Sequence, residues 1–170
     1  MVVLTQRYPK QGSPDGEGCE GKGWPDVGLR VLALTAEARV RSRHRHLLPS
    51  GEPVNLQLPR GTCLQHGDRL TTAAGEAVVQ IVAKPEPVMT VRAATPLLLK
   101  AAYHLGNRHV PLEVTADWLR LSPDPVLKTL LVEQLQVDVV VESAPFQPEV
   151  GAYHGHASRT DRAKHHHHVH

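Results

Sequence analysis

The stretch Thr95–Val114, "TPLLLKAAYHLGNRHVPLEV", decides the fold of the second half of the chain. Thr95 as N-cap, Pro96 at the first helical position and Gly106 at the end predict a helix over 95–106. Its apolar residues recur at helical spacing and predict a buried stripe of Leu97, Leu98, Ala101, Ala102 and Leu105. After a charged loop, "VPLEV" is predicted to be an edge strand, because proline is tolerated at a sheet edge.

The segments on either side extend this pattern. "VMTVRA" before the helix, and "DWLRL" and "VDVVVES" after it, predict three further strands. A second helix is predicted over "SPDPVLKTLLVEQL", capped by Ser122 or Asp124, with a buried stripe of Val126, Leu127, Leu130 and Leu131. The resulting order is β-α-β-β-α-β, which is typical of a ferredoxin-like domain. We therefore predict a ferredoxin-like βαββαβ domain over residues 87–150.

The first 86 residues follow a period-two pattern instead. "LRVLALT", "PVNLQLP" and "AAGEAVVQIVA" lie between Gly/Pro turns, which predicts a small antiparallel sandwich or barrel with Val54, Leu56 and Leu58 inward. Residues 11–27 are rich in Gly and Pro and are predicted to be a flexible insertion. "KPEPV" at 84–88 is predicted to be an extended connector. The predicted fold class is α+β: an all-β domain over 1–86, the ferredoxin-like domain, and a tail.

The tail, residues 151–170, has no apolar periodicity and is predicted to be disordered without metal. Neutral imidazole is a good ligand for Ni²⁺, Cu²⁺ and Zn²⁺, and several imidazoles on one segment can converge on one ion. An expression tag is the alternative, which the interruption of "HHHHVH" by Val169 disfavours. The predicted metal ligands in the tail are His154, His156, His165, His166, His167, His168 and His170.

Two further histidines flank the loop after the first helix of the βαββαβ pattern. His109 begins the predicted edge strand, in which Val110, Leu112 and Val114 would face the core, so its imidazole should face outward. It is then either a solvated loop histidine or, near a twofold axis, half of a shared metal site. His104 falls on the apolar side of the helix and is predicted to be a packed or capping residue.

Two other patterns in the first domain could carry chemistry. Cys63 and His66 form a C-x-x-H pair in a predicted turn, but structural metal sites usually need four ligands. In "EARVRSRHRHLL", the arginines at 39, 41, 43 and 45 alternate with other residues, which predicts a basic stripe on one face of an extended segment. The stripe would suit phosphates, a solvated face or an acidic partner.

Composition narrows the class of protein. The formal net charge of +2 on 170 residues is too small to imply nucleic acid, and aromatic residues do not interleave the basic stripe. No stretch approaches the ~20 apolar residues that cross a bilayer. Two separated cysteines and no secretory signal predict a soluble cytoplasmic protein. No P-loop, dinucleotide fingerprint or nucleophile motif is present, so we do not expect an enzyme.

Four segments carry a resemblance to a known family: "LPRGT", "PEPVMTVRA", "AAYHLGNRHVPLEV" and "PFQPEVGAYHGH". They resemble the urease accessory protein UreE family of nickel metallochaperones, and the likeness covers nearly the whole chain. The resemblance implies a homodimer formed through the second domain, with His109 as the interface nickel ligand. It also implies that a histidine just beyond "GAY" completes the site, with His154 as first choice and His156 as second.

The same resemblance implies the cargo and the partners. The cargo is Ni²⁺, with Zn²⁺ and Cu²⁺ as further ions, and the partners are a urease accessory GTPase and the urease pre-activation complex. The N-terminal domain is implied to be peptide-binding-like. The region "LSPDPV" lacks the auxiliary histidines that some relatives carry before the second helix. The alternatives are a metal storage or buffering protein that acts through the tail, and an RNA- or peptide-binding module that uses the arginine stripe.

Overall fold

The computed structural model describes residues 2–9, 30–75 and 78–149 of the chain. The first part contains, in chain order, β1 (Val2–Leu4), β2 (Gln6–Tyr8), β3 (Arg30–Leu34), α1 (Ala36–Arg39), β4 (Arg43–Leu47), β5 (Pro53–Gln57), β6 (Arg69–Thr71) and β7 (Val79–Ala83). The second part contains β8 (Pro85–Arg92), α2 (Thr95–Gly106), β9 (Glu113–Val114), β10 (Trp118–Leu121), α3 (Pro125–Thr129), a π-helical turn (Leu130–Gln134) and β11 (Asp138–Pro145). The class is therefore mixed α+β, with more sheet than helix.

Two sheets, β1-β5-β4 and β2-β6-β7-β3, enclose the first core. Leu4, Leu56, Leu70 and Ile81 come from both sheets and are fully buried in one cluster. The predicted inward positions of strand β5 and its end, 54, 56 and 58, are all buried, as expected from the period-two pattern. The prediction of a wholly antiparallel unit is wrong, because β1 pairs with β5 and β3 with β7 in parallel.

The arginine stripe predicted over residues 39–45 is also wrong. Residues 36–39 form helix α1, whose N-cap Thr35 accepts a hydrogen bond from the Ala38 amide. Arg39 closes this helix and is only 2% exposed. Only Arg43 and Arg45 lie on the extended strand β4. Alanine and glutamate after a threonine cap favour a helix over a strand, and this local preference overrides the alternation.

The second sheet has the order β11-β8-β10-β9, and every pair in it is antiparallel. Helix α2 spans Thr95–Gly106 as predicted, although Ala94 rather than Thr95 is the N-cap residue. Leu98, Ala101 and Leu105 are buried against the sheet, whereas Leu97 is partly exposed and lies outside this core. The predicted stripe is therefore wider than the face that α2 buries.

The second helical segment is shorter than predicted. Asp124 caps α3, since its Oδ1 accepts from the amides of Val126 and Leu127 at 2.8 and 2.9 Å. The chain then passes into the π-helical turn, where Leu130 and Leu131 are buried. Val126 was predicted to be buried and is 77% exposed instead. Val126 lies in α3, which has no fully buried residue, and the chain reaches the core only in the π-helical turn that follows.

Residues from both parts of the chain form a joint between the two cores. Ala36, Val88 and Phe146 are buried in one cluster, and the Ala36 amide donates to Glu86 Oε1 at 2.7 Å. The predicted connector 84–88 contributes to this joint, because β8 begins at Pro85 and only Lys84 separates it from β7. The predicted insertion at 11–27 and the predicted tail at 151–170 lie outside the described residues.

Candidate metal-binding surface around His109

A tight turn after helix α2 holds His109 at the protein surface. The His109 amide donates to Gly106 O at 2.8 Å, and the Val110 amide donates to Leu105 O at 3.2 Å. These two bonds are those of the Schellman motif, in which the residue at the position of His109 takes a left-handed conformation and is usually glycine. His109 has φ 55. Gly106 ends the helix as predicted, but the left-handed residue that turns the chain is the histidine.

The strand that follows is shorter than predicted. Only Glu113–Val114 forms β9, so His109 and Pro111 precede the strand. The sheet order does place β9 at an edge, in agreement with the prediction. Leu112 is buried and Val110 packs against the same core, whereas Val114 is 46% exposed. The outward orientation predicted for His109 is confirmed, because its side chain is exposed.

His109 belongs to no cluster of three or more possible metal ligands in the part of the chain that the structure describes. Within residues 2–9, 30–75 and 78–149, no three His, Cys, Asp or Glu side chains come together in a way that could hold a metal. One imidazole makes a poor metal site. A metal site of three or more ligands at His109 would therefore need ligands from outside the described residues or from a second copy of the chain.

The chain beyond strand β11 returns to the loop that carries His109. The Glu149 amide donates to Leu112 O at 2.7 Å, and the Gln147 amide donates to Glu113 Oε2 at 3.0 Å. The Glu149 amide is thus bonded to Leu112, which is three residues after His109. His154 follows Glu149 by five residues in the sequence. At about 3.3–3.6 Å per residue, that length spans at most roughly 18 Å. The first tail histidine is within reach of His109.

The other predicted tail ligands, from His156 to His170, lie outside the described residues, as does His154. His104 is half-buried on α2, with the Tyr103 ring 5.5 Å away between centroids in an edge-on arrangement. Its carbonyl oxygen accepts from Arg108 Nη1 at 2.8 Å. These contacts agree with the predicted scaffold role for His104.

The Cys63–His66 pair serves the fold of the first part. His66 Nδ1 accepts a hydrogen bond from the Ala83 amide at 3.2 Å, at the end of strand β7. Cys63 Sγ accepts from Gln65 Nε2 at 3.6 Å. His66 Nδ1 is therefore occupied by a hydrogen bond to the main chain. The C-x-x-H spacing here belongs to a hydrogen-bonded turn.

A histidine pair on strand β4 was not singled out from the sequence. The rings of His44 and His46 lie 4.6 Å apart between centroids. Partial burial lowers the pKa of His46 below its usual 6.5, and the neighbouring His44 and Arg41 lower that pKa further. The signal was their i, i+2 spacing on an extended segment, which places both rings on one face.

Arg120 and Glu113 were also missed by the sequence reasoning. They are directly opposite each other in the β9–β10 hairpin. Arg120 donates to the carbonyl of Pro145, the last residue of β11, and Glu113 accepts from the Gln147 amide just after it. Opposite charges at facing positions of a hairpin are a recognisable pattern. The register that pairs them could not be read without knowing where the short strand β9 begins.

Comparison with known proteins gives a consistent result over both parts of the chain. The family model for the UreE urease accessory protein N-terminal domain matches residues 19–84, and that for the C-terminal domain matches residues 86–170. A urease accessory protein UreE from Nostoc punctiforme is 53% identical over 160 residues, which cover 92% of this chain and 99% of the relative.

Two other relatives agree. A urease accessory protein UreE from a Nostoc species is 55% identical over 78% of this chain and 90% of its own length. The protein of the same name from Citrobacter koseri is 46% identical with full coverage of both chains. Among the described residues, no helix is long and apolar enough to cross a membrane.

Proposed function

The chain belongs to the urease accessory protein UreE family, and we propose on this premise that it is a nickel metallochaperone. As a member of that family it is an accessory protein that serves urease, not an enzyme. In the proposed function, His109 from two protomers binds Ni²⁺ at a shared interface, and the protein delivers the ion for assembly of the urease active site. Zn²⁺ and Cu²⁺ are further ions that the same imidazoles would accept.

The observation that carries the proposal is the conformation of His109. An exposed histidine with φ 55 occupies a position that glycine would fill at lower conformational cost. Such an outlier persists where the side chain has a use. The fixed turn presents the imidazole at the surface, close to where the tail begins. His154, or else His156, completes the site in this proposal, and His165, His166, His167, His168 and His170 capture the ion first.

The proposed homodimer uses the surface of helix α2 next to His109. Leu99 and Tyr103 are one helical turn apart, and they are 67% and 65% exposed. Exposed apolar side chains of this size on one helix face are typical of a surface that a partner covers. A twofold axis near them would bring two copies of His109 together. The proposed partners of the loaded dimer are the urease accessory GTPase and the urease pre-activation complex, in the cytoplasm.

The proposed domains are an all-β, peptide-binding-like domain over 1–86 and a metal-binding and dimerisation domain over 87–150, followed by the tail over 151–170. The strand order β11-β8-β10-β9 and its antiparallel pairing support a ferredoxin-like second domain. The two family matches meet between residues 84 and 86, which supports the proposed boundary.

Native mass spectrometry with graded Ni²⁺ tests the proposal, because it reports dimerisation and ion count together. Four proteins are compared: the parent, His109→Ala, a chain ending at Tyr153, and that shortened chain with His109→Ala. His104→Ala, one turn back on α2, is the matched control. We expect the shortened dimer to keep one ion that His109→Ala removes. Equal Ni²⁺ affinity of the two shortened chains would overturn the interface site.

Metal storage through the tail is the alternative, because the tail holds seven imidazoles. Loss of the tail alone would then abolish all tight binding, and His109→Ala would change nothing in the full chain. In either function, binding weakens as pH falls, because protonated imidazole cannot ligate.

A further inference from the structure

The segment that follows strand β11 crosses the second sheet from one edge to the other. Strand β11 lies at the edge opposite β9, so three strand spacings, about 14 Å, separate the two. Yet the Glu149 amide is bonded to Leu112 O, immediately before β9. Residues 146–149, here called the strap, therefore carry the chain from Pro145, the last residue of β11, across β8 and β10 to the His109 side of the sheet.

The strap runs over the sheet face that the helices leave uncovered. Met89 and Val91 of β8 face the helical core, so Val88 and Thr90 face the other way. Phe146 packs on Val88 and is 1% exposed. The register places Arg120 opposite Thr90, and facing residues of an antiparallel pair share a face. Arg120 thus lies in the middle of the path that the strap follows.

Arg120 contacts the groups that hold the strap at its start and along its course. Its Nη1 donates to Pro145 O at 2.9 Å, and its Nε donates to Thr90 Oγ1 at 3.1 Å. The same Nη1 lies 3.8 Å from Glu113 Oε2, which accepts from the Gln147 amide. The Trp118 ring lies beneath the guanidinium, 4.2 Å from ring centroid to Cζ. The side chain is 13% exposed, so solvent screens these contacts only in part.

A second carboxylate completes the network around Arg120. Glu142 Oε1 lies 3.5 Å from Arg120 Nη2 and accepts from Thr90 Oγ1 at 2.5 Å. One guanidinium thus meets two carboxylates, a hydroxyl and a backbone carbonyl from strands β8, β9 and β11. A planar fork of five donors is suited to this task, and a lysine ammonium is not.

We propose that Arg120 is a positioning residue for the nickel site: by anchoring the strap, it fixes where the histidine tail begins relative to His109. This inference rests on the proposed function. With the strap held, five residues separate the fixed Glu149 from His154. With the strap released at Pro145, nine residues do, and the tail would start from the far side of the sheet. The effective concentration of tail imidazoles at His109 then falls roughly twofold to fivefold.

The test compares Arg120→Met with the parent, each as the full chain and as the chain ending at Tyr153. Arg92→Met is the matched control. Arg92 is an exposed arginine of β8, and it pairs with Trp118 of β10 on the same face of the sheet as Arg120. We expect Arg120→Met to weaken Ni²⁺ binding roughly threefold in the full chain and not at all in the shortened chain. Amide hydrogen exchange should show lost protection at Gln147 and Glu149. Arg92→Met should change neither quantity.

Equal weakening with and without the tail, or unchanged protection at Gln147 and Glu149, would overturn the anchoring role. Glu113→Gln is the second variant if Arg120→Met does not fold, and it should act in the same direction, because the amide oxygen is a weaker acceptor for Gln147 and Arg120. Failure of the proposed function would show separately, as His109→Ala without effect in either chain length. The exchange at Gln147 and Glu149 would then still decide whether Arg120 anchors the strap.

Discussion

The guanidinium of Arg39 donates a hydrogen bond from Nη2 to the carbonyl oxygen of Phe146, 107 residues further along the chain. Arg39 ends helix α1 in the first part, and Phe146 belongs to the strap in the second. This bond and the Ala36–Val88–Phe146 cluster join the two cores. The buried arginine thus has a structural role, which the alternation of residues 39–45 did not suggest.

Arg39→Met should destabilise the protein by about 1–3 kcal/mol, because it leaves the buried Phe146 carbonyl without its donor. The measurement is urea-induced unfolding followed by circular dichroism. Arg41→Met is the control: Arg41 pairs with Glu37 on the exposed side of α1, and such a pair contributes about 0.5 kcal/mol or less. Equal destabilisation by both variants would contradict the role of Arg39 at the joint.

His109→Gly should be about 1 kcal/mol more stable than His109→Ala, because only glycine takes the left-handed conformation without steric cost. Both variants should lose the Ni²⁺ of the interface site equally. Thermal unfolding of the apoproteins and Ni²⁺ titration of the shortened chains measure the two effects. A glycine variant less stable than the alanine variant would be inconsistent with a Schellman turn at this position.

His46 should make stability fall as the solution is acidified. Its pKa is lowered in the folded protein by burial, by His44 and by Arg41, so the unfolded chain binds the proton more tightly. Stability is therefore intact above the unfolded pKa of 6.5 and is lost progressively as pH falls below that value. His46→Gln should reduce this loss in urea unfolding between neutral and mildly acidic pH.

His44→Gln distinguishes the causes of the His46 shift. It removes one neighbouring charge and leaves burial in place, so the pKa of His46 should rise only part of the way to 6.5. Titration of the His46 ring by NMR measures this directly. No movement of the His46 pKa in His44→Gln would mean that burial and Arg41 alone account for the shift.

Leu99→Ser with Tyr103→Ser should shift the protein from dimer to monomer at micromolar concentration, because the proposed dimer covers these side chains. Sedimentation velocity measures the change. Val126→Ser is the control: Val126 is also highly exposed but lies on the short helix α3. If the double variant stays dimeric, the proposed interface does not include this face of α2.

Local signals allowed much of the second part to be predicted. The limits of α2 follow from Pro96 and Gly106, which act through their own backbone preferences. The cap at Asp124 also follows from a local hydrogen bond. The exposure of His109 was predicted from a strand alternation that does not reach it, since His109 lies in the turn before β9. The left-handed turn itself could not be predicted, because glycine is the usual residue at that position.

The features that could not be predicted depend on contacts between distant residues. The parallel pairing of β1 with β5 brings together Val2 and Val54, and no local pattern specifies that partner. The strap has no periodicity, and its course depends on Arg120 and Glu113 in a hairpin elsewhere in the chain. The seven tail histidines were easily recognised in the sequence. The bond of the Glu149 amide to Leu112 O, which brings the chain before the tail to the His109 loop, was missed.

The strap also bears on the order in which the protein is completed on the ribosome. Among the described residues, the buried core cluster of the first part ends at Ile81, so this core can form while the second part is still being synthesised. The contacts of Ala36 and Arg39 with Phe146 form later, because Phe146 is synthesised only after strand β11. The joint between the cores therefore closes only when residues near the end of the described part of the chain have emerged. In the proposed function, a site shared between His109 and the tail would form only after this step, because the tail follows Phe146 in the sequence.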